Sequence, residues 1–397
     1  MPDIPSTLSW TLTNPSFNLT FSTANSSPLV FIILLILTTL YFLTLSALPK
    51  TPSFSLDYLL HLFLIFFPPL SHIYSLCIGY TLCHLIFSPT IPVVPLLVAA
   101  WYSLLYATTT LNTRFGHGKG KRLVWSDQIA VVTGGAGGLG WLIVKILELK
   151  GAEVVVWDVK APEEWSEDQD EGIKWYKVDV GNAEQVDSAY RTVQNDLGTP
   201  TILINNAGIV NGKPLLSLSA QQISRCFSIN TLSHFHTCRS FLPGMLVSPS
   251  GGTIVTVSSV LGHLGASHLT DYTASKAALL AFYTSLRAEI KQMAGNKTDY
   301  PGAENTKMIL VKPGQLSTAM FSTLKSPSDF FGPVVQAKDL AREIVETIEN
   351  GRDGVVCMPV YAWLIEWLGV LPVSLQRAAR WMSGVDGAMK TFGSKQE

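Results

Sequence analysis

The chain has 397 residues, of which 47% are hydrophobic and 14% are charged, and its formal net charge at pH 7 is −1. A nearly neutral chain lacks the basic surface that binds a phosphate backbone, which excludes a nucleic-acid partner. Its length accommodates one membrane region and one α/β domain of about 240 residues. The cysteines have neither metal-site spacing nor a disulfide framework, which favours a reducing environment and predicts no bound metal. They are Cys77, Cys83, Cys226, Cys238 and Cys357.

Charge is nearly absent from residues 1–113, where only three side chains are charged. Residues 29–48 form a run of twenty uncharged, mostly apolar residues, long enough to cross a hydrocarbon core of about 30 Å. Two further apolar segments, 58–87 and 91–111, contain prolines, so the number of spans stays open. The sequence therefore predicts an N-terminal α-helical membrane region.

Residues 114–127 form a basic linker directly after the last apolar segment. Basic residues beside a membrane span tend to face the cytosol, which predicts a cytosolic position for the domain that follows. No basic residue precedes the first apolar run and no small-residue cleavage site follows it promptly, which argues against a cleaved signal peptide. The linker's basic side chains are Arg114, His117, Lys119, Lys121 and Arg122.

A glycine-rich turn joins an apolar segment at 129–132, predicted to be a strand, to a predicted helix at 141–150. Backbone N–H groups and the helix N-terminus at such a turn bind a pyrophosphate, and a Cβ atom would block the approach. A glycine-rich loop without a ligand is the alternative. The spacing is T-G-x-x-x-G-x-G, and the predicted cofactor-binding residues are Thr133, Gly134, Gly138, Leu139 and Gly140.

Asp158 ends the next predicted strand, 153–157, about twenty residues beyond the glycines. A carboxylate at this position accepts hydrogen bonds from the adenosine ribose and repels a 2′-phosphate. NAD is therefore the favoured cofactor, while NADP stays open. Lys160 offers a positive charge for such a phosphate, but a solvated loop lysine is the more common situation.

Two further strand ends bring polar groups to the same edge of the sheet. The strand predicted at 175–179 ends in Asp179, whose carboxylate either accepts from an adenine amino group or serves as a helix cap or exposed acid. The strand predicted at 201–204 runs into Asn206 and Gly208, which would let the chain pass close to an adenosine.

Tyr272 and Lys276 lie one helical turn apart on one face of a predicted helix. An ammonium beside a phenol favours its ionised form, so Lys276 is expected to lower the pKa of Tyr272 and make it a general base. Ser259 ends a predicted buried strand at 252–259, at the edge of a sheet where ligands bind. Helices also carry Tyr and Lys at this spacing by chance, so the pair gains its meaning from Ser259 and the glycine turn.

These motifs occur in the order typical of the short-chain dehydrogenase/reductase family, which residues 128–354 resemble. The resemblance implies a Rossmann-like, doubly wound parallel sheet in an α/β domain at 128–357. It also implies a nicotinamide cofactor and a catalytic tetrad of Asn230, Ser259, Tyr272 and Lys276. The family's Pro-Gly turn leads to a Thr that touches the nicotinamide carboxamide. It implies cofactor contacts from Pro313, Gly314, Leu316 and Thr318, with Ser317 as a substitute for Thr318.

The implied chemistry is transfer of a hydride between NAD(P) and an alcohol or ketone. Tyr272 takes the hydroxyl proton, Ser259 holds the substrate oxygen, Lys276 binds the nicotinamide ribose, and Asn230 seats a water linking Lys276 to solvent. Two of these residues have structural alternatives. Asn230 would cap or kink its helix, and Ser259 would merely end a strand.

Within the family, the chain resembles the membrane-bound branch that contains retinol dehydrogenases and lipid-droplet 17β-hydroxysteroid dehydrogenases. The matching segments are 156–159, 241–245, Met358-Pro359 and Leu371-Pro372. The branch implies a lipophilic substrate and a location at the endoplasmic reticulum or lipid droplets.

Residues 358–397 combine tryptophan and arginine around an apolar stripe, which predicts an amphipathic segment that docks on a membrane beside the substrate entrance. Packing on the fold or in a homodimer is the alternative. The segment 317–333 is the expected lid.

The sequence thus predicts a membrane-bound NAD(P)-dependent oxidoreductase for a retinoid, steroid or long-chain lipid. A non-catalytic membrane or lipid-droplet scaffold and an NADPH-dependent keto-lipid reductase are the alternatives. The intact tetrad argues against the scaffold, and Asp158 argues against the reductase.

Overall fold

The computed structural model describes residues 123–166, 171–318, 320 and 332–388, with a separate backbone hairpin and two helical residues, Ser103 and Ala107. The hairpin pairs β1, Ser9–Asn14, antiparallel with β2, Phe17–Ser22. Apart from Ser103 and Ala107, the predicted membrane segments 29–48, 58–87 and 91–111 lie outside the described residues. In the parts of the chain that the structure describes, no helix combines the length and apolar character needed to cross a bilayer.

Seven parallel strands form the sheet at the centre of the fold, in the spatial order β5-β4-β3-β6-β7-β8-β9. Sequence order reverses between β3 and β6, which creates the crevice where α/β proteins bind ligands. The predicted α/β class with a Rossmann-like parallel sheet is confirmed. The strands are β3 Ile129–Thr133, β4 Glu153–Asp158, β5 Ile173–Lys177, β6 Ile202–Asn205, β7 Thr253–Val257, β8 Lys307–Pro313 and β9 Gly354–Met358.

Helices cover both faces of the sheet and continue beyond its last strand. They are α1 Gly138–Leu149, α2 Ala183–Asp196, α3 Ala220–Phe227, α4 Ser233–Val247, α5 Thr270–Met293, α6 Ala337–Glu349, α7 Ile365–Leu368, α8 Val373–Ser383 and α9 Val385–Ala388. A π-helical turn, Ser228–Leu232, joins α3 to α4. Short 3-10 turns occur at Trp125–Asp127, Leu215–Ser217, Val260–Gly262, Ala303–Asn305 and Val360–Trp363.

Alternation along the strands divides the core into two layers. Val154 and Val156 of β4 pack in the layer that contains α1 and α6. Val155 and Trp157 pack in the opposite layer with α2 and α4, where Trp157 meets Phe241 edge-on at 5.4 Å between ring centroids. All four side chains are buried, because a parallel strand has helices on both faces.

Several predicted boundaries shift by two or three residues. Strand β7 ends at Val257, because Ser259 leaves the ladder and its hydroxyl accepts from the backbone N–H of Leu261 at 3.1 Å. Strand β5 ends at Lys177, two residues before Asp179. Helix α1 begins at Gly138 inside the glycine turn, which brings its N-terminus into the crevice.

Candidate active site

A cavity of about 940 Å³ lies at the carboxyl ends of the strands, across the point where the strand order reverses. Most of the predicted site residues line it, although they come from distant parts of the sequence. From the first half of the sheet these are Gly134, Gly138, Leu139, Asp158, Asp179, Asn206 and Gly208. From the second half they are Ser259, Tyr272, Lys276, Pro313, Gly314, Leu316 and Thr318.

The glycine turn leaves open space on its cavity side, as the binding of a pyrophosphate requires. Gly134 and Gly138 have φ values of 61° and 56°, in the left-handed region that side chains rarely adopt. Gly137 lines the cavity, and a Cβ atom added there would meet no protein atom within 4 Å. The N-terminus of α1 therefore faces an uncluttered space that fits a dinucleotide phosphate.

Thr133 and Gly140 hold the turn in place from behind. The Thr133 hydroxyl accepts from the backbone N–H groups of Asn206 and Ala207 at 3.0 and 3.1 Å. At Gly140 an added Cβ would lie 2.2 Å from the Gly134 carbonyl oxygen. The sequence assigned both residues to cofactor contact, whereas the structure directs them toward the protein.

Asp158 at the end of β4 faces the turn. Its carboxylate accepts from the backbone N–H of Ala136 at 3.1 Å and from that of Lys160 at 3.3 Å. These bonds aim the carboxylate at the part of the cavity next to the glycines, where an adenosine ribose would lie. The role of Asp158 in cofactor choice stays a prediction.

Asp179 has a partner that the sequence did not reveal. Its carboxylate accepts from Arg225 of α3 at 2.8 Å and from the Gly181 N–H at 3.0 Å, and both charged residues line the cavity. The alternative role as a cap of α2 is wrong, because Asn182 supplies that cap. Arg225 was missed, since nothing in the sequence links it to Asp179, 46 positions away.

Ser259, Tyr272 and Lys276 meet at the inner wall of the cavity, and all three are buried. The Lys276 Nζ donates to the Val257 carbonyl oxygen at 2.9 Å and lies 5.8 Å from the centre of the Tyr272 ring. Helix α5 supplies Tyr272 and Lys276 from successive turns, and the loop directly after β7 supplies Ser259. The predicted grouping of these side chains on one surface is what the structure has.

The expected direction of the Tyr272 pKa is wrong for this arrangement of the protein alone. Burial raises the pKa of Tyr272 to about 12, against a lowering contribution from its hydrogen bond with Ser259. Burial also lowers the pKa of Lys276 to about 8. Desolvation penalises both charged forms, and it is the largest cause of both shifts.

Asn230 lies behind the cavity wall, in the π-helical turn between α3 and α4. Its side chain accepts from the Ile209 N–H at 2.8 Å and donates to the Ile209 carbonyl at 2.9 Å and to the Ser275 hydroxyl at 3.0 Å. It thereby fastens the loop after β6 to α5. A Cβ added at Gly208 would lie 3.5 Å from Asn230 Oδ1 and 3.6 Å from Lys276 Nζ. Asn230 thus lies in a π-helical irregularity, and its side chain, like that of Lys276, lies near Gly208.

Thr318 and Ser317, the two candidates for the carboxamide contact, differ in position in the segment after β8. Thr318 lines the cavity, and its Cγ2 would lie 3.6 Å from a Cβ at Gly138. The Ser317 hydroxyl instead accepts from the N–H of Ala337 at 3.2 Å, at the start of α6. The geometry favours Thr318.

The C-terminal segment forms a wall of the cavity, which sequence reasoning expected only to border its entrance. The amphipathic pattern was the available signal, but it does not reveal which apolar side chains face inward. The lining residues from this segment are Tyr361, Leu364, Ile365, Leu368, Ala379, Arg380, Met382, Ser383 and Val385.

Comparison with known proteins agrees with this geometry. A sequence profile described as short chain dehydrogenase matches residues 128–328. The chain is 30% identical over 298 residues to retinol dehydrogenase 10-A of Danio rerio, covering 67% of this chain and 85% of that protein. It is 26% identical over 267 residues to the uncharacterized oxidoreductase YDL114W of Saccharomyces cerevisiae, covering 67% and 84%. It is 28% identical over 241 residues to 17-beta-hydroxysteroid dehydrogenase 13 of Homo sapiens, covering 59% and 76%.

A parallel sheet, a glycine-lined crevice and a buried Ser-Tyr-Lys group define a nicotinamide-dependent oxidoreductase. The chain belongs to the short-chain dehydrogenase family. It is an NAD(P)-dependent alcohol or ketone oxidoreductase. The predicted resemblance to the retinol and 17β-hydroxysteroid dehydrogenase branch is confirmed.

Proposed function

We propose that this protein is a membrane-bound oxidoreductase that interconverts a lipophilic alcohol and its carbonyl compound with NAD as the preferred cofactor. The observation that carries the proposal is one continuous cavity with a polar, glycine-lined end and an apolar end. The polar end contains Asp158 and the glycine turn. The apolar end is built from the loop after β7 and the C-terminal segment, and the Ser259, Tyr272 and Lys276 side chains lie between the two.

The roles proposed for the tetrad follow from these positions. A bound dinucleotide supplies the hydride acceptor or donor. Tyr272 removes the hydroxyl proton in oxidation and returns one to the carbonyl oxygen in reduction, while Ser259 holds that oxygen by a hydrogen bond. Lys276 is protonated in neutral solution and its ammonium stabilises the phenolate. Asn230 keeps the loop at Gly208 next to Lys276.

The apolar end supports a lipophilic substrate. Its lining residues after β7 are Leu261, Leu264, Ala266 and Leu269, and the opposite wall carries Leu364, Ile365, Leu368, Met382 and Val385. Apolar walls of this kind bind hydrocarbon and leave only the reacting oxygen to the polar groups. Relatives named for retinol and for 17β-hydroxysteroids point in the same direction, and we extend that substrate class to this chain.

A membrane location accounts for the outer face of the same C-terminal segment, and we propose that residues 358–397 dock on a lipid surface. Trp363, Trp367 and Trp381 are exposed there, as are several aliphatic side chains. Tryptophan prefers the boundary between lipid and water. The apolar segments within 1–113 would anchor the chain, and the basic linker 114–127 would keep the catalytic domain on the cytosolic side of the endoplasmic reticulum or of lipid droplets.

The decisive experiment measures turnover of retinol, a steroid alcohol and long-chain alcohols by the full chain in membranes, with NAD and with NADP. We expect oxidation of at least one lipophilic alcohol, with NAD preferred. Tyr272→Phe should abolish turnover while the dissociation constant for NAD stays within about twofold, because the ring remains and only the proton-transferring oxygen is lost. Cofactor binding without turnover of any substrate would favour the scaffold, and reduction of keto-lipids with NADPH alone would favour the alternative reductase.

The proposed location has its own test. The chain should stay with membranes after alkaline carbonate extraction, and protease added outside sealed microsomes should digest the catalytic domain. Full protection of that domain would place it in the lumen and contradict the positive-inside argument.

A further inference from the structure

Lys312 is a buried lysine that the proposed reaction does not use. It is the penultimate residue of β8, directly before the Pro313-Gly314 turn, and its side chain is only 3% exposed. A buried ammonium group is costly unless a partner compensates its charge. The residues that compensate the charge of Lys312 therefore indicate its structural role.

Besides the Cys357 thiol, its neighbour on β9, Lys312 has partners from beyond β9. Its ammonium group forms an ion pair with the Glu366 carboxylate of α7, and it lies 5.7 Å from the centre of the Trp363 ring. The same carboxylate lies 3.7 Å from Nε2 of His263, in the loop after β7. Glu366 thus joins the C-terminal segment to the end of β8 and to the loop that carries the apolar wall.

Residues 361–385, here called the roof, cover the apolar end of the cavity. The inner side of the roof is held at a second point, where Arg380 donates to the Gly265 carbonyl oxygen at 2.8 Å. Val385 packs against the cluster of Ala266, Leu269 and Tyr272. The roof therefore contacts the apolar cluster that contains Tyr272.

Apolar packing alone attaches the roof weakly. Among its described residues only Ala362 is buried, in a small cluster with Val260 and Cys357. The outward side chains include Trp367 and Val370, which are exposed. With so little core contact, the free energy that holds the roof in place depends strongly on its few polar links.

We propose that the Lys312–Glu366 pair is a clasp that positions the roof and so determines specificity for long apolar substrates. The proposal rests on the proposed lipophilic substrate. With the clasp closed, Leu364, Ile365 and Leu368 complete the apolar end of the cavity. With the clasp broken, the roof leaves the cavity, hydrocarbon binding is lost, and the dinucleotide end stays intact.

Glu366→Gln tests the clasp directly, because Glu366 is 41% exposed and its amide analogue keeps the shape while removing the charge. Hydrogen exchange of backbone amides in 361–385 should accelerate about tenfold, as expected when a partly exposed partner of a buried charge is lost. Lys312→Met should have the same effect, and the double variant should add little to either single change. Glu304→Gln, which breaks the exposed Lys297–Glu304 pair, should leave exchange in the roof unchanged.

Kinetics provide the second arm. In Glu366→Gln, KM for a long-chain alcohol should rise about tenfold. KM for a short alcohol and the dissociation constant for NAD should change less than twofold. Glu304→Gln should match the parent protein in all three quantities. Unchanged exchange in the roof of Glu366→Gln would overturn the clasp. An equal rise in KM for short and long alcohols would overturn the role of the clasp in specificity. Failure of the proposed function is distinguishable, because roof exchange and NAD binding are measured without any lipid turnover.

Discussion

At the scale of single residues, Tyr272 is subject to two opposing requirements. A catalytic phenol must be shielded from water, and the shielding itself raises its pKa to about 12. It must also ionise to accept a proton, and the hydrogen bond with Ser259 lowers its pKa, while the proposed role of the nearby Lys276 ammonium is to stabilise the phenolate. The positive nicotinamide ring of a bound cofactor would add a further attraction for the phenolate.

The Tyr272 pKa predicts different pH profiles for the two directions. Alcohol oxidation needs the phenolate, so its kcat/KM should rise as the pH is raised above neutral, whereas kcat/KM for ketone reduction, which needs the phenol, should not rise. Ser259→Ala removes the bond that lowers the pKa, so its oxidation profile should move to higher pH, apart from any general loss of rate. Steady-state kinetics from pH 6 to 10 test this, and an unmoved profile in Ser259→Ala would contradict the bond's role.

Asp158 yields a prediction about cofactor choice. Replacing Asp158 by Ala removes the carboxylate that repels a 2′-phosphate, so the preference for NAD over NADP in kcat/KM should fall by about tenfold or more. Lys160→Ala is the matched control, because Lys160 is an exposed side chain after the end of β4 and its loss should leave the preference unchanged. An unchanged ratio in Asp158→Ala would remove the basis for favouring NAD.

The sequence predicted most directly those site residues that lie on one element at a fixed spacing. Tyr272 and Lys276 share α5, and an i, i+4 pair has only one geometry on a helix. Arg225 beside Asp179 and the choice between Ser317 and Thr318 depend on how loops fold over the sheet. The pKa of Tyr272 depends on its burial, which neighbouring sequence does not state.

At the scale of elements, the order of strands and helices could be predicted because each strand is a short apolar run that ends in a turn or polar residue. Boundaries were less predictable where side chains compete for backbone groups, as Ser259 does at the end of β7. The π-helical turn at Ser228–Leu232 had no signal beyond the expectation that Asn230 kinks its helix.

The glycine turn offers a matched pair of substitutions. Gly140→Ala places a Cβ 2.2 Å from the Gly134 oxygen, so it should lower the free energy of unfolding by about 1–3 kcal/mol and weaken NAD binding. Gly137→Ala meets no protein atom within 4 Å, so it should weaken NAD binding with little change in unfolding free energy. Denaturant unfolding without cofactor and NAD titration separate the two, and equal destabilisation would contradict this account of the turn.

At the scale of the whole molecule, exposed apolar side chains gather on the outer face of the roof, next to the entrance of the cavity. The amphipathic pattern predicted this face, but the sequence did not show that the same segment closes the cavity, because its partner Lys312 is far away in the chain. Membrane attachment through the segments within 1–113 stays a prediction.

Delivery of substrate from a bilayer should depend on this face. Trp381→Glu, at a side chain 84% exposed on α8, should raise the apparent KM for alcohol supplied in vesicles about fivefold, because a charge at the lipid boundary disfavours docking. The value for detergent-dissolved alcohol should not change. Leu149→Glu is the control, since Leu149 is 83% exposed at the far end of α1, toward the opposite edge of the sheet. Equal effects of both variants would contradict a docking role.

The three cysteines that the structure describes are buried, so their alkylation depends on local or global unfolding. Burial raises the pKa of Cys226 and Cys238 to about 12 and that of Cys357 to about 11, so the folded thiols stay protonated and shielded from alkylating reagents. Cys357 packs against Ala362, whereas Cys238 lies on the buried face of α4, in the core of the domain. The rate of iodoacetamide labelling, measured separately for each cysteine peptide, would therefore report two events. Labelling of Cys357 would report detachment of the roof, and labelling of Cys238 would report global unfolding.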